Sequence, residues 1–150
     1  MSTVQVRANV VGLISLISVA CGVGGLFGPG SVVDLAFLIS GRDTSRIIVP
    51  DTVTRGIPFD VSFVTFGGGC TRSAVRTDLT TKGSDAEIRP YDRTVRSGVC
   101  TSDLLFLQHV TQVRFDAPGT AMLHVIGQQY GASTGGVNGP AELLRLVTVR

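Results

Sequence analysis

Three cysteines and two histidines hold most of the reactive chemistry in this 150-residue chain. Cys21 follows Ser18-Val19-Ala20 at the end of an uncharged apolar run that begins at Ala8. Small residues after a hydrophobic stretch are what a processing protease cuts beside, so Cys21 stands at a cleavage position. Cys70 and Cys100 lie in Gly-containing segments, Gly67-Gly68-Gly69-Cys70-Thr71 and Ser97-Gly98-Val99-Cys100-Thr101, and neither has a second Cys or His at zinc-ligand spacing. In an oxidising compartment the two are expected to form a disulfide, which would stabilise a small domain by roughly 3 to 4 kcal/mol in the chain-entropy picture. Free thiols are the alternative in a reducing one. His109 and His124 are candidate metal ligands if neighbouring strands bring them together, and hydrogen-bonded strand residues otherwise.

The address of the chain decides between these uses. Arg7, then Leu13, Ile14, Leu16 and Ile17, then the small residues before Cys21 follow the order of an export signal. Ser18-Val19-Ala20-Cys21-Gly22 resembles the lipobox of bacterial lipoproteins, with Ser18 where that family prefers Leu. The resemblance implies a signal peptide over 1–20, lipidation of the Cys21 thiol, and attachment to the cell envelope through the lipid. Other readings are plain secretion after the same cut, a retained membrane anchor, and a buried apolar segment of a cytosolic protein. The anchor is opposed by Gly22, Gly24, Gly25, Gly28, Pro29 and Gly30, which suit a tether better than a helix. Lipidation would also remove the odd cysteine and leave Cys70 and Cys100 as a pair.

What positions the remaining side chains is a body of strands. Phe59, Val61, Phe63 and Thr65 alternate with Asp60, Ser62 and Val64, the period of a half-buried strand. Ala74 to Leu79 is a second strand, followed by a turn at Lys82-Gly83-Ser84-Asp85, and Ala86 and Ile88 lie on a third that Pro90 is expected to stop. Leu107, His109, Thr111, Val113 and Phe115 form a fourth, ended by Ala117-Pro118-Gly119. Ala121, Leu123 and Val125 continue a fifth, residues 127–140 read as a long Gly-rich loop, and Leu143 to Val149 close the chain. Ser31 to Ser40 fits an early strand or a short helix. The expected division is therefore 1–20 signal peptide, 21–45 tether with a possible first strand, and 46–150 a single β domain.

Ile48-Val49-Pro50-Asp51-Thr52-Val53-Thr54-Arg55-Gly56-Ile57-Pro58-Phe59-Asp60-Val61 resembles the opening of bacterial immunoglobulin-like domains. Phe115 to Val125 is similar to their penultimate strand pair and Leu144 to Val149 to their closing strand. The resemblance covers about residues 46–150 and implies an all-β fold, an antiparallel immunoglobulin-like β-sandwich. It implies little about activity, because such sandwiches serve many roles. There is no Trp, and Cys70 and Cys100 do not stand where the antibody-type bridge does.

Several chemistries are disfavoured. A net charge of +2 with scattered Arg residues gives no nucleic-acid footprint. Ala117-Pro118-Gly119-Thr120 resembles the stretch before the copper ligands of cupredoxins, but only Met122 and His124 follow, without the required Cys. No nucleophile elbow surrounds a serine, and the Gly runs lack the ending of a phosphate loop. Tyr91-Asp92-Arg93 and the surroundings of Tyr130 are candidate binding edges, with a solvated loop as the plainer reading. The expectation is thus a non-enzymatic lipoprotein of the envelope without a cofactor. It would be tied to the membrane by Cys21 and present its β domain to a protein or glycan partner. An envelope enzyme or metal-binding protein using His109 or His124, and a self-associating structural subunit, are the alternatives.

Overall fold

The computed structural model describes residues 30–39, 47–68, 72–96, 104–131 and 136–150. They form ten strands: β1 (Gly30–Leu35), β2 (Phe37–Leu38), β3 (Ile47–Ile48), β4 (Thr52–Val53), β5 (Phe59–Gly68), β6 (Arg72–Lys82), β7 (Asp85–Arg96), β8 (Leu104–Val113), β9 (Gly119–Gly131) and β10 (Gly136–Val149). The protein is all-β, and Ser31 to Leu38 is strand rather than helix. Period-two patterning explains the long elements. Val61, Phe63 and Thr65 of β5 are buried, as are Ala121, Leu123 and Val125 of β9, while their sequence neighbours face outward.

The ten strands belong to one curled sheet whose inner face surrounds a single core of Leu38, Phe63, Ile88, Val113, Phe115, Leu123, Val147 and their neighbours. Antiparallel ladders join β5 to β8, β6 to β7 and β9 to β10. The expectation of a purely antiparallel sheet is corrected, because β7 and β2 both run parallel to β9 and β4 runs parallel to β10. Residues 47–53 cross from one part of the sheet to another: Ile47 and Ile48 pair with β5, and Thr52 and Val53 pair with β10.

The sheet also contains a gap where β7 and β9 part. β7 leaves β9 after Ile88 and is next joined by β1, which pairs Leu35 with Tyr91. Ala36 fills the space between, its N–H donating to the Pro90 carbonyl at 2.9 Å and its carbonyl accepting from Gln128 N–H at 2.8 Å. Pro90 therefore does not stop β7 as expected. Its missing N–H falls on the side where β7 changes partners, where no ladder bond is required of it.

The expected loop over 127–140 is also corrected, since β9 continues to Gly131 and β10 begins at Gly136. Gly127 is a packing glycine: a Cβ there would come within 2.7 Å of the Ala36 carbonyl oxygen and would strike the Leu38 side chain. It lets β2 lie against β9. Gly127→Ala is accordingly expected to lower stability by about 1 to 3 kcal/mol through overpacking, measured by urea denaturation, whereas Gly30→Ala, which meets nothing within 4 Å, should change it little.

Candidate functional site

Two groups of polar side chains stand out, one inside the curl and one on its outer surface. The inner group centres on Asp92, which is fully buried on β7 in phase with Ala86, Ile88 and Pro90. Placed between Tyr91 and Arg93, it was expected at a solvated or ligand-binding edge; it is instead a strand residue facing the core. A carboxylate without water needs donors. Asp92 Oδ2 accepts from Arg72 Nε at 3.1 Å and from Thr65 Oγ1 at 3.2 Å, and Oδ1 lies 2.9 Å from His109 Nε2.

Local sequence explains why these groups converge. Arg72 and Thr77 are five positions apart on β6 and would face opposite ways in a regular strand. A bulge between Ala74 and Arg76 inserts Val75 and shifts the phase, so Arg72, opposite Thr94, and Thr77, opposite Pro90, both turn inward. Thr77 Oγ1 reaches His109 Nδ1 at 3.1 Å. With Nε2–H donating to Asp92, Nδ1 accepts from the Thr77 hydroxyl, and both ring nitrogens are satisfied. Phe63 is the ladder partner of His109, and the two rings stack at 5.6 Å with planes 4° apart. Arg72 is held over the Phe37 ring at 4.2 Å, in space that exists because Gly67 has no side chain.

The order Asp92, His109, Thr77 is that of a carboxylate–imidazole–hydroxyl relay, and Thr77 borders a concavity of about 180 Å³ with Ala74, Arg76, Gln108 and Val110. The same groups are fully used in holding the structure together. His109 is only 4% exposed, and Asp92 is shared among three donors on three strands. The network links β5, β6, β7 and β8 through side chains, and it adds buried contacts to β6, which otherwise has its ladder with β7 and mostly exposed side chains. Arg72, Thr77, Thr65 and Asp92 were not singled out from the sequence as a group. The available signal was an acidic residue on the apolar parity of β7, facing a histidine on the apolar parity of β8.

His124 lies elsewhere, on the outer face of β9, so the structure does not bring it to His109. Its Nδ1 bonds Glu142 Oε1 at 2.6 Å, and its Nε2 is 3.6 Å from Asp85 Oδ1. Among the described residues no group of three or more His, Cys, Asp or Glu side chains is arranged to hold a metal ion. Cys21, Cys70 and Cys100 lie outside the described residues. Near His124 the outer face turns apolar: Met122, Leu144 and Leu146 border a shallow concavity of about 390 Å³. No protein-family model, curated protein or solved structure matches the chain.

The hydrogen bond that His124 donates to the Glu142 carboxylate raises its pKa above the ordinary 6.5, opposed by partial burial and helped by the charge of Glu142 and by hydrogen bonding to and the charge of Asp85. A folded-state value above the unfolded one means that this stabilisation is complete below pH 6.5 and is lost as pH rises through the folded pKa. His124→Gln should abolish that part of the pH dependence of the unfolding midpoint. In an NMR titration, Glu142→Gln should move the His124 midpoint downward.

Proposed function

We propose that this protein is a non-enzymatic, lipid-anchored domain of a bacterial envelope that displays a rigid β surface to a protein or glycan partner. The observation that carries the reading is the division of labour between the two faces of the sheet. Inside, Thr65, Asp92 and His109 are committed to one another. Outside, large apolar side chains such as Leu144 at 46% and Leu146 at 56% exposure stand beside polar ones on long, regular strands. Surfaces of that kind suit binding or assembly more than catalysis.

An immunoglobulin-like sandwich is the finer fold reading. Its support is the crossing of residues 47–53 from β5 to a parallel pairing with β10, within the stretch that carries the resemblance, together with the closing β9–β10 hairpin. The departure is β7, which stands beside β9 in parallel and leaves β6 outside it. Ladder register supports the Cys70–Cys100 disulfide: Cys70 comes two positions after Gly68, Cys100 four positions before Leu104, and Gly68 and Leu104 are direct partners. Cys70 and Cys100 thus stand a few positions from two strand ends that pair with each other, which is the support for proposing the bond.

Intact-mass analysis of the full chain, expressed in a bacterium and extracted from its membranes, tests the reading. The expected species begins at Cys21, carries acyl chains, and is lighter by a pair of hydrogens than its reduced form. A chain that retains Met1 with three free thiols would overturn both the anchor and the disulfide.

A further inference from the structure

The outer face carries a second apolar feature, distinct from the Leu144 and Leu146 patch. Phe106 of β8 is the ladder partner of Phe66 on β5, and Phe66 is the partner of Phe37 on β2. The Tyr130 ring of β9 meets Phe37 at 5.4 Å and Phe66 at 6.1 Å, and Tyr130 pairs with Val137 of β10. The ladder partner of Phe37 on β9 is Gln128, and the Tyr130 ring two positions on closes that step by ring contact, so an apolar row crosses five strands. Its outer members are open to solvent, Phe106 by 58%, Tyr130 by 42% and Val137 by 57%, and Leu104 adds 60% beside it.

Three features indicate what covers the row. It lies at one end of the strands, where β5 and β9 finish and β8 and β10 begin, the end at which β1 starts with Gly30. Cys21 is nine positions before Gly30, a span of about 30 Å at full extension, shorter than the length of β10 with its 14 residues. Polarity also changes along the strands. The acidic side chains of the same outer face, among them Asp60 on β5, Glu142 on β10 and Asp85 beside His124, stand several rows away, and none of the row's own members carries a charge. Exposed aromatic rings with a tyrosine hydroxyl suit the boundary between headgroups and acyl chains.

We infer that the Phe106, Phe66, Phe37, Tyr130 and Val137 row rests against the lipid surface to which Cys21 ties the protein. The inference deepens the anchored reading and rests on it. A lipid chain alone holds a protein near a bilayer but leaves it free to tumble. The row would act as a second contact, fixing which end of the sheet faces the membrane and which faces outward toward a partner.

The chain has no Trp, so Phe106→Trp installs a single reporter in the row and Ile57→Trp one at the opposite end, where Ile57 is 59% exposed. Each full-length variant is reconstituted in vesicles of phosphatidylethanolamine and phosphatidylglycerol, with or without brominated acyl chains, after its acylation has been read by intact mass. The expected result is a blue-shifted Phe106→Trp emission, quenched by the brominated lipid at least about twofold more than that of Ile57→Trp. Equal quenching in an acylated protein overturns the inference and leaves the anchor standing. Absence of acylation overturns the anchor; the unacylated chain is then added to the same vesicles, where preferential quenching still supports a lipid-binding row and none overturns it. A concentration-dependent blue shift of Phe106→Trp without lipid assigns the row to a second copy of the chain and also overturns the inference.

Discussion

A carboxylate with no exposure to water sits between the strands of this protein, and much of the structure is arranged to supply it with donors. Asp92 receives Arg72, Thr65 and His109, and Thr77 completes the second nitrogen of the imidazole. Each partner comes from a different place in the chain. The arrangement demands a bulge at Val75, a glycine at position 67 and the direct pairing of His109 with Phe63. Hydrophobic burial alone would leave β6 weakly held, because it presents mostly exposed side chains. The buried charge pair makes the attachment directional: it is strong with all partners present and destabilising when one is lost.

The second constraint is backbone pairing where β7 and β9 separate. An open gap there would leave buried N–H and carbonyl groups without partners. Ala36 closes it by bonding to both sides, and the small residues around it are selected by contact. Ala36 is fully buried, and Gly127 leaves room for its carbonyl and for Leu38. Residues 30–38 are therefore part of the sheet.

Much of this fold is legible in the sequence where one rule dominates. Period-two alternation locates β5, β8 and β9, because one side of each faces the core and the other faces water. The reading fails where a residue type has two physical uses. Gly127 has the composition of a loop and the role of a close contact. Pro90 removes an N–H, which ends a strand only if that N–H is required. Asp92 looks solvated because carboxylates usually are, and its burial depends on Arg72 and His109, twenty and seventeen positions away in sequence. Local pattern does not contain such pairings; only the register of β6, β7 and β8 brings them together.

The buried network is the central claim, and a double-mutant cycle between Arg72 and Asp92, followed by equilibrium denaturation, tests it most directly. Asp92→Asn is predicted to lower stability by about 3 to 5 kcal/mol, the range for breaking a buried ion pair by removing one partner. The double variant Arg72→Met with Asp92→Asn should lose clearly less than the sum of the single losses, since no unpaired buried charge remains. A loss below about 1 kcal/mol for Asp92→Asn, with strictly additive effects in the cycle, is the behaviour of a solvated surface pair and would contradict the account.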